Sequence, residues 1–313
     1  MRLSAECKGA KSIAISGHVR PDGDCIGSCM AMALYLRKTM PEAEVNVYLD
    51  KPADIYDCIK EIDTVRTQAD EKTYDVFICV DCEPKRMAFG QEMYEKAVKK
   101  INIDHHVSNV PGCGDVNYVY PDTGSAAELV YEVLDHDKLD ADIALPIYIG
   151  IIHDTGVLQY SNVRPATLIT VSELIKYGID FPNVITKTFY EKTYVQEQIM
   201  GRALLESIMF MDGRCVVSMV DKKTMDFYNA TTADLEGIVN QLRNIRGVDC
   251  AIFMYEISTC EYKVSLRTSE AIDAAAVTMV FGGGGHSRAA GVTMQGTYHD
   301  VVNNLSREIA KQI

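Results

Sequence analysis

The hydrophobic pattern of the first hundred residues predicts strands that alternate with helices. Short apolar runs predict four strands, at residues 12–17, 45–49, 75–80 and 101–103. Apolar residues at helical spacing predict helices over residues 25–40 and 86–100. The run DVFICV is almost wholly apolar, which is typical of a strand buried on both faces. Strands and helices that alternate in this way predict an α/β fold with a mainly parallel sheet flanked by helices.

From Thr123 onward the pattern changes, and it divides the chain. Helical periodicity predicts four helices, at residues 124–134, 141–153, 165–177 and 194–210. Strands return at residues 215–220, 248–257 and 262–267, with helices near 234–243, 271–280 and 299–312. We therefore expect a large N-terminal domain over residues 1–190, a helical linker over 191–212 and a smaller C-terminal α/β domain over 213–313.

Composition and charge narrow the function classes. The chain has 313 residues, of which 47% are hydrophobic, and none of its apolar runs reaches the roughly 18–20 residues that span a bilayer. Its N-terminus lacks the pattern of a secretion signal, which predicts a cytoplasmic protein without a membrane partner. The net charge of −13 argues against a binder of long duplexes, because basic patches normally attract nucleic acid. It does not argue against short phosphorylated substrates.

The ten cysteines show no repeating spacing, which is typical of reduced, buried thiols in a chain that is not exported. Cys79 and Cys82 have CxxC spacing, but they lie in a strand-like run. Positions i and i+3 of a strand point to opposite faces, so we do not expect a redox or zinc pair there.

Acidic and histidine residues follow the first predicted strand in the segment HVRPDGD. His18, Asp22 and Asp24 leave this strand end within seven residues. Ligands gather at the carboxyl ends of strands in parallel α/β sheets, so the segment is a candidate site. The alternative is a polar turn in which Asp24 caps the next helix.

Three further acidic segments also lie at the ends of predicted strands or helices. Asp81 ends the run DVFICV, Asp104, His105 and His106 follow the next short strand, and Asp154 ends an apolar helix in the segment HDTG. Each has an ordinary alternative, such as a turn aspartate, surface histidines or a helix-end carboxylate. A carboxylate after so apolar a helix would be costly to bury unpaired.

One shared binuclear metal site explains the four segments better than four coincidences do. Imidazole with carboxylate suits Mn²⁺, Fe²⁺ or Zn²⁺ better than Ca²⁺, which prefers oxygen alone. We expect no cysteine in the ligand set, which argues against a structural zinc site. Two cations about 3.5–4 Å apart can activate a water and hold an in-line displacement at phosphorus.

At these residues the sequence resembles the DHH phosphoesterase family, with HVRPDGD, Asp81, the triplet DHH and HDTG in matching order and rough spacing. The C-terminal segment FGGGGHSRAAG, residues 281–291, resembles the glycine–histidine motif of the DHHA1 domain. Length and architecture are most similar to the short bacterial nanoRNase type, which hydrolyses oligoribonucleotides and 3′-phosphoadenosine 5′-phosphate (pAp). RecJ exonucleases are longer, and family II pyrophosphatases end in a different domain.

The resemblance implies a role for each residue of the four segments. His18 and Asp22 would hold a first cation, Asp24, His105 and Asp154 a second, and Asp81 both. Asp104 would orient the site from behind the ligands, the usual function of a carboxylate beside a metal-bound histidine. His106 would face the substrate phosphate. Arg20 is a further candidate phosphate contact, with an ordinary exposed arginine as the alternative.

The resemblance also implies that the C-terminal domain binds the rest of a nucleotide. Backbone N–H groups of a glycine run can approach a phosphate closely. The candidate substrate residues are Arg267, Gly283, Gly284, Gly285, His286 and Arg288. Thr268 stands where the family often has serine, so a hydroxyl is kept. A flexible turn is the alternative for the glycines, and a solvated arginine is the alternative for Arg288.

We therefore expect a phosphoesterase that uses two Mn²⁺ ions, or other divalent cations, and hydroxide attack at phosphorus. Its substrates would be short single-stranded RNA, the dinucleotide pApA and pAp. The resemblance leaves a homodimer open. Two other hypotheses remain from the sequence, an inorganic pyrophosphatase on the same core and a nucleotide-binding module without catalysis.

Overall fold

The computed structural model describes residues 2–313 of the chain. It consists of two compact units, Met1–Glu191 and Lys192–Ile313, and each is described by itself. No helix within residues 2–313 is long and apolar enough to cross a membrane.

The first unit is built on a five-stranded parallel sheet in the order β2-β1-β3-β4-β5. Its strands are β1 (Ser12–Ser16), β2 (Glu44–Tyr48), β3 (Val76–Val80), β4 (Lys99–Asp104) and β5 (Val116–Val119). Strands β1 and β3 are buried over their whole length, as their apolar sequences require. The predicted α/β class with a mainly parallel sheet is confirmed.

Seven α-helices of this unit lie within the described residues. They are α1 (Leu3–Glu6), α2 (Gly23–Thr39), α3 (Gln91–Lys96), α4 (Ala126–Val133), α5 (Ala141–Asp154), α6 (Pro165–Ile175) and α7 (Phe181–Ile185). The central pair, α2 and α5, positions the candidate site. Helix α2 is apolar around most of its circumference, so it is buried between the sheet and its neighbours. A Cβ on Gly27 of α2 would lie 2.2 Å from the carbonyl oxygen of Pro146 in α5. The two helices therefore approach closely.

One prediction in this unit is wrong in extent, and one strand was not predicted. The helix predicted over residues 86–100 is limited to α3, because residues 99–100 belong to β4 and pair with β3. The apolar residues at helical spacing form only the short helix α3, of which Met93 and Tyr94 are buried. Pairing with β3 determines the structure of residues 99–100. Strand β5 was not predicted, since the edge sequence VNYV is short and mostly unburied.

The second unit is a six-stranded mixed sheet with helices, in the strand order β10-β11-β9-β8-β7-β6. Strands β7 and β8 run parallel, and the other neighbours run antiparallel. The strands are β6 (Ile208–Phe210), β7 (Cys215–Val220), β8 (Cys250–Ser258), β9 (Glu261–Thr268), β10 (Gly284–His286) and β11 (Ala289–Gln295). The helices are α8 (Tyr194–Leu205), α9 (Lys222–Tyr228), α10 (Ile238–Arg243), α11 (Ala274–Met279) and α12 (Tyr298–Ile309).

The helix predicted over residues 194–210 ends at Leu205, and its last three residues form β6 instead. Met211, Asp212 and Gly213 have positive φ, which turns the chain so that β6 pairs antiparallel with β7. Helix α9 and strands β10 and β11 were also not predicted. Strand β10 could not be predicted from the glycine run, because glycine is depleted in strands.

Candidate metal centre

The four acidic segments meet at one edge of the parallel sheet. Strands β1, β3 and β4 are neighbours, and each delivers site residues immediately beyond its carboxyl end. The start of α2 adds two aspartates and the end of α5 adds Asp154. Parallel strands place their carboxyl ends together, so residues far apart in sequence become neighbours.

Asp81 lies at the centre of this group and is buried. Its Oδ2 lies 3.4 Å from Nε2 of His18, and its Oδ1 lies 3.4 Å from Nε2 of His105 and 3.6 Å from Nδ1 of His106. Within residues 2–313 no group donates a hydrogen bond to Oδ1. A buried carboxylate oxygen without a partner is costly, and a cation between these groups would compensate for it. The residues therefore fit a metal ion.

Backbone carbonyl groups orient the rings of His18 and His105, the two inner histidines of the group. Nδ1 of His18 donates to the carbonyl of Val19 at 2.9 Å, and Nδ1 of His105 donates to the carbonyl of Thr123 at 3.3 Å. These bonds select the tautomer in which Nε2 carries the free lone pair, and that nitrogen faces the carboxylates. Both rings are thus prepared as ligands through Nε2.

Without a cation, protons on the histidines stabilise the clustered negative charge. Burial opposes the charged form of His18, but hydrogen bonds to Asp22 and Asp81 outweigh it and raise its pKa to about 11. Burial also opposes the charged form of His105, yet Asp81, Asp24 and Asp154 raise its pKa to about 10. A cation would compete with these protons.

Asp24 and Asp154 belong to the ends of helices α2 and α5. Asp24 is buried, and its carboxylate accepts hydrogen bonds from the backbone N–H groups of Ala126 and Ala127, at 2.7 and 2.8 Å, where α4 begins. Oδ2 of Asp154 lies 3.7 Å from Nε2 of His105. Burial, together with neighbouring carboxylates, raises the pKa of Asp24 and raises that of Asp154 to about 6. Such a cluster needs positive charge.

Asp22 is less enclosed than the other carboxylates. It precedes α2 and caps it by accepting from the backbone N–H groups of Asp24 and Cys25, both at 3.1 Å. The cap predicted as an alternative for Asp24 is therefore made by Asp22. Its Oδ1 lies 3.7 Å from Nε2 of His18, and 60% of the side chain is exposed. Asp22 therefore lies on the side of the group that is exposed to solvent.

Asp104 and His106 form a hydrogen-bonded pair, and His106 is the member next to Asp81. Oδ1 of Asp104 accepts from Nδ1 of His106 at 2.7 Å, and Oδ2 accepts from Nδ2 of Asn109 at 2.7 Å. Burial favours the neutral form of Asp104, but these hydrogen bonds outweigh it and lower its pKa. Sequence inspection missed Asn109, since a lone asparagine in a loop carries no distinguishing signal.

Asn162 is a second residue that the sequence did not indicate. Its Nδ2 donates to the carbonyl oxygens of Gly124 at 2.8 Å and of Asp154 at 3.2 Å. The same nitrogen lies 3.5 Å from Oδ2 of Asp154. Asn162 therefore ties the end of α5 to the loop before α4 and holds the Asp154 carboxylate beside His105.

The structure contradicts the expectation that Cys79 and Cys82 point to opposite faces, and it places Cys25 beside the metal group. Sγ of Cys25 lies within 4.8 Å of a ring nitrogen of His18 and a carboxylate oxygen of Asp81, so a thiol does border the group. Cys79 and Cys82 do not point apart, because their sulfur atoms are 3.8 Å from each other. Asp81, between them, has φ of +57° and ends the strand, so strand geometry no longer applies beyond it.

In the second unit, Arg267 and His286 lie on one face of the sheet. Strand pairing places Ala289 of β11 opposite Arg267 of β9 and also opposite His286 of β10. Directly paired residues project to the same face, so the two polar side chains flank a small alanine. Two strand spacings separate them, which is about 10 Å.

The glycine run forms the hairpin edge of this sheet and is not an irregular flexible turn. Gly284 and Gly285 belong to β10, and Gly285 has φ of +144°. A Cβ on Gly283 or on Gly285 would lie 2.5 Å from a backbone oxygen of β11, so both positions require glycine. The backbone and hydroxyl of Thr268 hold the hairpin through the carbonyls of Arg288 and Ser287.

The remaining candidate arginines have local partners. Nη1 of Arg288 donates to the carbonyl of Ser269 at 2.6 Å, and Nη1 of Arg267 donates to that of Leu266 at 3.0 Å. The backbone N–H of Arg20, where φ is +53°, donates to Asp50.

Comparisons with known proteins support the fold class. Residues 12–151 match the model of the DHH family, N-terminal domain, and residues 212–313 match that of the DHHA1 domain. The chain is 28% identical to the bifunctional oligoribonuclease and PAP phosphatase NrnA of Thermus thermophilus, covering 99% of this chain and 95% of the relative. It is 25% identical to NrnA of Bacillus subtilis, covering 90% and 89%. An exopolyphosphatase-related protein from Bacteroides fragilis has the same fold, with a TM-score of 0.88 and 24% identity over 99% of this chain and 94% of that one.

Proposed function

The chain belongs to the DHH family and carries a DHHA1 domain, and from this premise we propose that it is a Mn²⁺-dependent phosphoesterase. It would hydrolyse short oligoribonucleotides, including pApA, to mononucleotides and remove the 3′-phosphate of pAp to give AMP. The relatives named for these two activities resemble the chain over nearly its whole length.

The observation that carries the proposal is the unpartnered, buried oxygen of Asp81 among histidine and aspartate side chains. We propose that His18 and Asp22 hold one cation, Asp24, His105 and Asp154 a second, and Asp81 both. Mixed nitrogen and carboxylate donors suit Mn²⁺. A bound pair of such cations supplies a strong nucleophile at neutral pH and stabilises charge that develops at phosphorus.

His106 is the proposed contact to the phosphate that reacts. Its Nδ1 is engaged by Asp104, so Nε2 is the nitrogen left to meet a phosphate oxygen, and 27% of the side chain is exposed. Asn109 and two hydrogen bonds from His106 keep Asp104 charged, and the Asp104 carboxylate fixes the orientation of the His106 ring. The pair can thus hold Nε2 of His106 toward the substrate.

In the second unit we propose that Arg267 and His286 bind a further phosphate of the substrate, with Gly283, Gly284 and Gly285 offering backbone N–H groups and Arg288 a weaker contact. The shared sheet face of Arg267 and His286 supports this assignment. A guanidinium and an imidazole suit a terminal phosphate better than a continuous duplex. Short single-stranded substrates follow from this proposal.

The test compares turnover of pAp, pApA, short RNA, short DNA and pyrophosphate, each with and without Mn²⁺. We expect Mn²⁺-dependent release of mononucleotide from short RNA and pApA, and of orthophosphate from pAp. Asp81→Asn should abolish all three activities, because it removes the proposed shared ligand. Asp137→Asn is the matched control, since Asp137 is 73% exposed and lies outside the group.

A fully active Asp81→Asn variant would overturn the proposal. Orthophosphate from pyrophosphate without nucleotide hydrolysis would establish the pyrophosphatase alternative. Calorimetry without any Mn²⁺ uptake would favour a nucleotide-binding module instead.

A further inference from the structure

Cys25 is a thiol at the edge of the proposed metal pair, on the side of the first cation. Its Sγ, a ring nitrogen of His18 and a carboxylate oxygen of Asp81 all lie within 4.8 Å of one another. Donor atoms around one cation are typically bound at about 2.0–2.3 Å from it, so donors of one shell lie no more than about 4.5 Å apart. The sulfur is therefore close enough to share a cation with the other two groups after a small adjustment.

The backbone of the sheet places the sulfur there. A Cβ on Gly17 would lie 2.2 Å from Sγ of Cys25 and 3.2 Å from the carbonyl oxygen of Val80. Gly17 immediately precedes His18, and Val80 immediately precedes Asp81. The sulfur thus lies between the two strand ends that deliver these ligands, and only glycine at position 17 leaves room for it.

The carboxylate of Asp81 reaches both cation positions with different oxygens. Its Oδ1, which accepts no hydrogen bond within the described residues, lies toward His105 and His106. Nε2 of His18, the nitrogen that faces Asp81, lies 3.4 Å from its Oδ2. A carboxylate oxygen, an imidazole nitrogen and a thiol therefore border one space on the side of the first cation.

We propose that Cys25 is a ligand of the first cation, alongside His18, Asp22 and Asp81, and that it makes this position selective for thiophilic divalent metals. The inference rests on the metal pair of the proposed function. When a cation binds, a sulfur–metal bond forms, the S–H bond breaks and the proton passes to solvent. Thiolate ligands favour Zn²⁺, Fe²⁺ and Co²⁺ over Mn²⁺.

The two cation positions would consequently differ. The first has nitrogen, sulfur and oxygen donors, whereas the second has one imidazole and otherwise carboxylates, from Asp24, Asp154 and Asp81. Harder Mn²⁺ fits the second position, and a softer ion fits the first. A mixed-metal centre is the consequence for this chain.

Cobalt spectroscopy of the full chain tests the inference directly. Co²⁺ reports its own binding through visible absorption, and a Co²⁺–thiolate bond adds a near-ultraviolet charge-transfer band. We expect this band in the wild-type protein, saturating at one Co²⁺ per chain. Cys25→Ser should lose the band and keep the visible absorption. Cys7→Ser is the matched control and should keep both, because Cys7 is a buried thiol of the same unit that lies outside the group.

Asp81→Asn keeps all ten thiols and should also lose the band, since the shared carboxylate is gone. A band that persists in Cys25→Ser or in Asp81→Asn would overturn the inference, because other thiols would then be its source. Wild-type protein that binds Co²⁺ without the band would overturn it without any variant.

The measurement also separates this inference from the proposed function. A band without hydrolysis of any nucleotide would support the sulfur ligand and refute the phosphoesterase. Mn²⁺-dependent hydrolysis without the band would support the phosphoesterase and refute the sulfur ligand.

Discussion

At the scale of single residues, the candidate site depends on the uncommon backbone conformation of Asp81. Asp81 has φ of +57°, a conformation that non-glycine residues seldom adopt, and it occurs here directly beyond a fully buried strand. The turn aims the carboxylate across the strand ends toward both inner histidines. Strained residues of this kind cluster at functional sites.

Asn109 is expected to tune the site without touching a cation. In Asn109→Ala the hydrogen bond to Asp104 is lost, so the pKa of Asp104 should rise from its lowered value. The acid limb of the pH–rate profile should therefore move to higher pH, and kcat should fall about 10–100-fold. The profile with pAp measures both changes.

Asn46→Ala provides the comparison, because Asn46 is also buried in the sheet but bonds Glu44 and Tyr74. It should leave the profile in place. An unshifted profile in Asn109→Ala would show that Asp104 is held by other groups.

Among the elements, helices α2 and α5 determine where the aspartates stand. The start of α2 carries Asp22 and Asp24, and the end of α5 carries Asp154. Close approach depends on small residues, since a Cβ on Gly23 would lie 2.3 Å from Cγ of His153. Packing of the two helices therefore sets the spacing of the carboxylates.

The glycine at the crossing of α2 and α5 gives a stability prediction. Gly27→Ala would place a methyl group 2.2 Å from the carbonyl oxygen of Pro146 and 3.0 Å from the backbone nitrogen of Gly150. The helices must separate, so the free energy of unfolding should fall by roughly 1–3 kcal/mol. Mn²⁺ affinity should fall with it, and urea unfolding and calorimetry measure the two effects.

Gly201→Ala has the same chemistry in α8, but a Cβ there meets no atom of the described chain within 4 Å. This variant should gain about 0.5–1 kcal/mol, because alanine is the better helix former. Equal effects of the two substitutions would show that α2 and α5 do not pack closely.

For the whole molecule, clustered charge makes the metal-free protein sensitive to pH. His18 and His105 have folded-state pKa values of about 11 and about 10, above the 6.5 of a free imidazole. Their stabilising contribution is fully present below pH 6.5 and is lost as the pH rises toward 10 and 11. The raised pKa of Asp154, about 6, acts in the same direction at lower pH.

We therefore expect the Tm of metal-free protein to fall progressively above pH 6.5. Mn²⁺ replaces the histidine protons, so the rise in Tm that it causes should grow over the same range. Scanning calorimetry with and without Mn²⁺ measures both, and His105→Gln should flatten the trend relative to the exposed-surface variant His299→Gln. A metal-free Tm that is constant from pH 6.5 to 9 would contradict the assignment.

In the proposed function, the first unit binds the metals and the second unit binds a further phosphate of the substrate. Arg267→Ala should raise KM for pAp by roughly 10–100-fold, because it removes a charged hydrogen-bond donor. Mn²⁺ affinity should stay unchanged, since Arg267 belongs to the second unit and the metal residues to the first. Calorimetry and kinetics are measured on the same preparation, with Arg288→Ala as the comparison. Lost Mn²⁺ binding in Arg267→Ala would refute this separation.

The sequence by itself determined the class of the fold and most of the site. Buried strands such as residues 76–80 and helices such as α2 and α5 are visible because their apolar residues repeat with the period of the element. The four acidic segments can be recognised in the sequence because each directly follows a predicted strand or helix. The order of residues along the chain was therefore sufficient to predict the fold class and these segments.

Tertiary structure alone decided the contacts between segments distant in sequence. Asn109 and Asn162 reach Asp104 and Asp154 through loops whose course depends on strand pairing. The sulfur of Cys25 borders His18 and Asp81 because Gly17, directly after β1, leaves room between two strand ends. Residues 99–100 and 208–210 became strands because a neighbouring strand offered hydrogen bonds, which no local periodicity encodes.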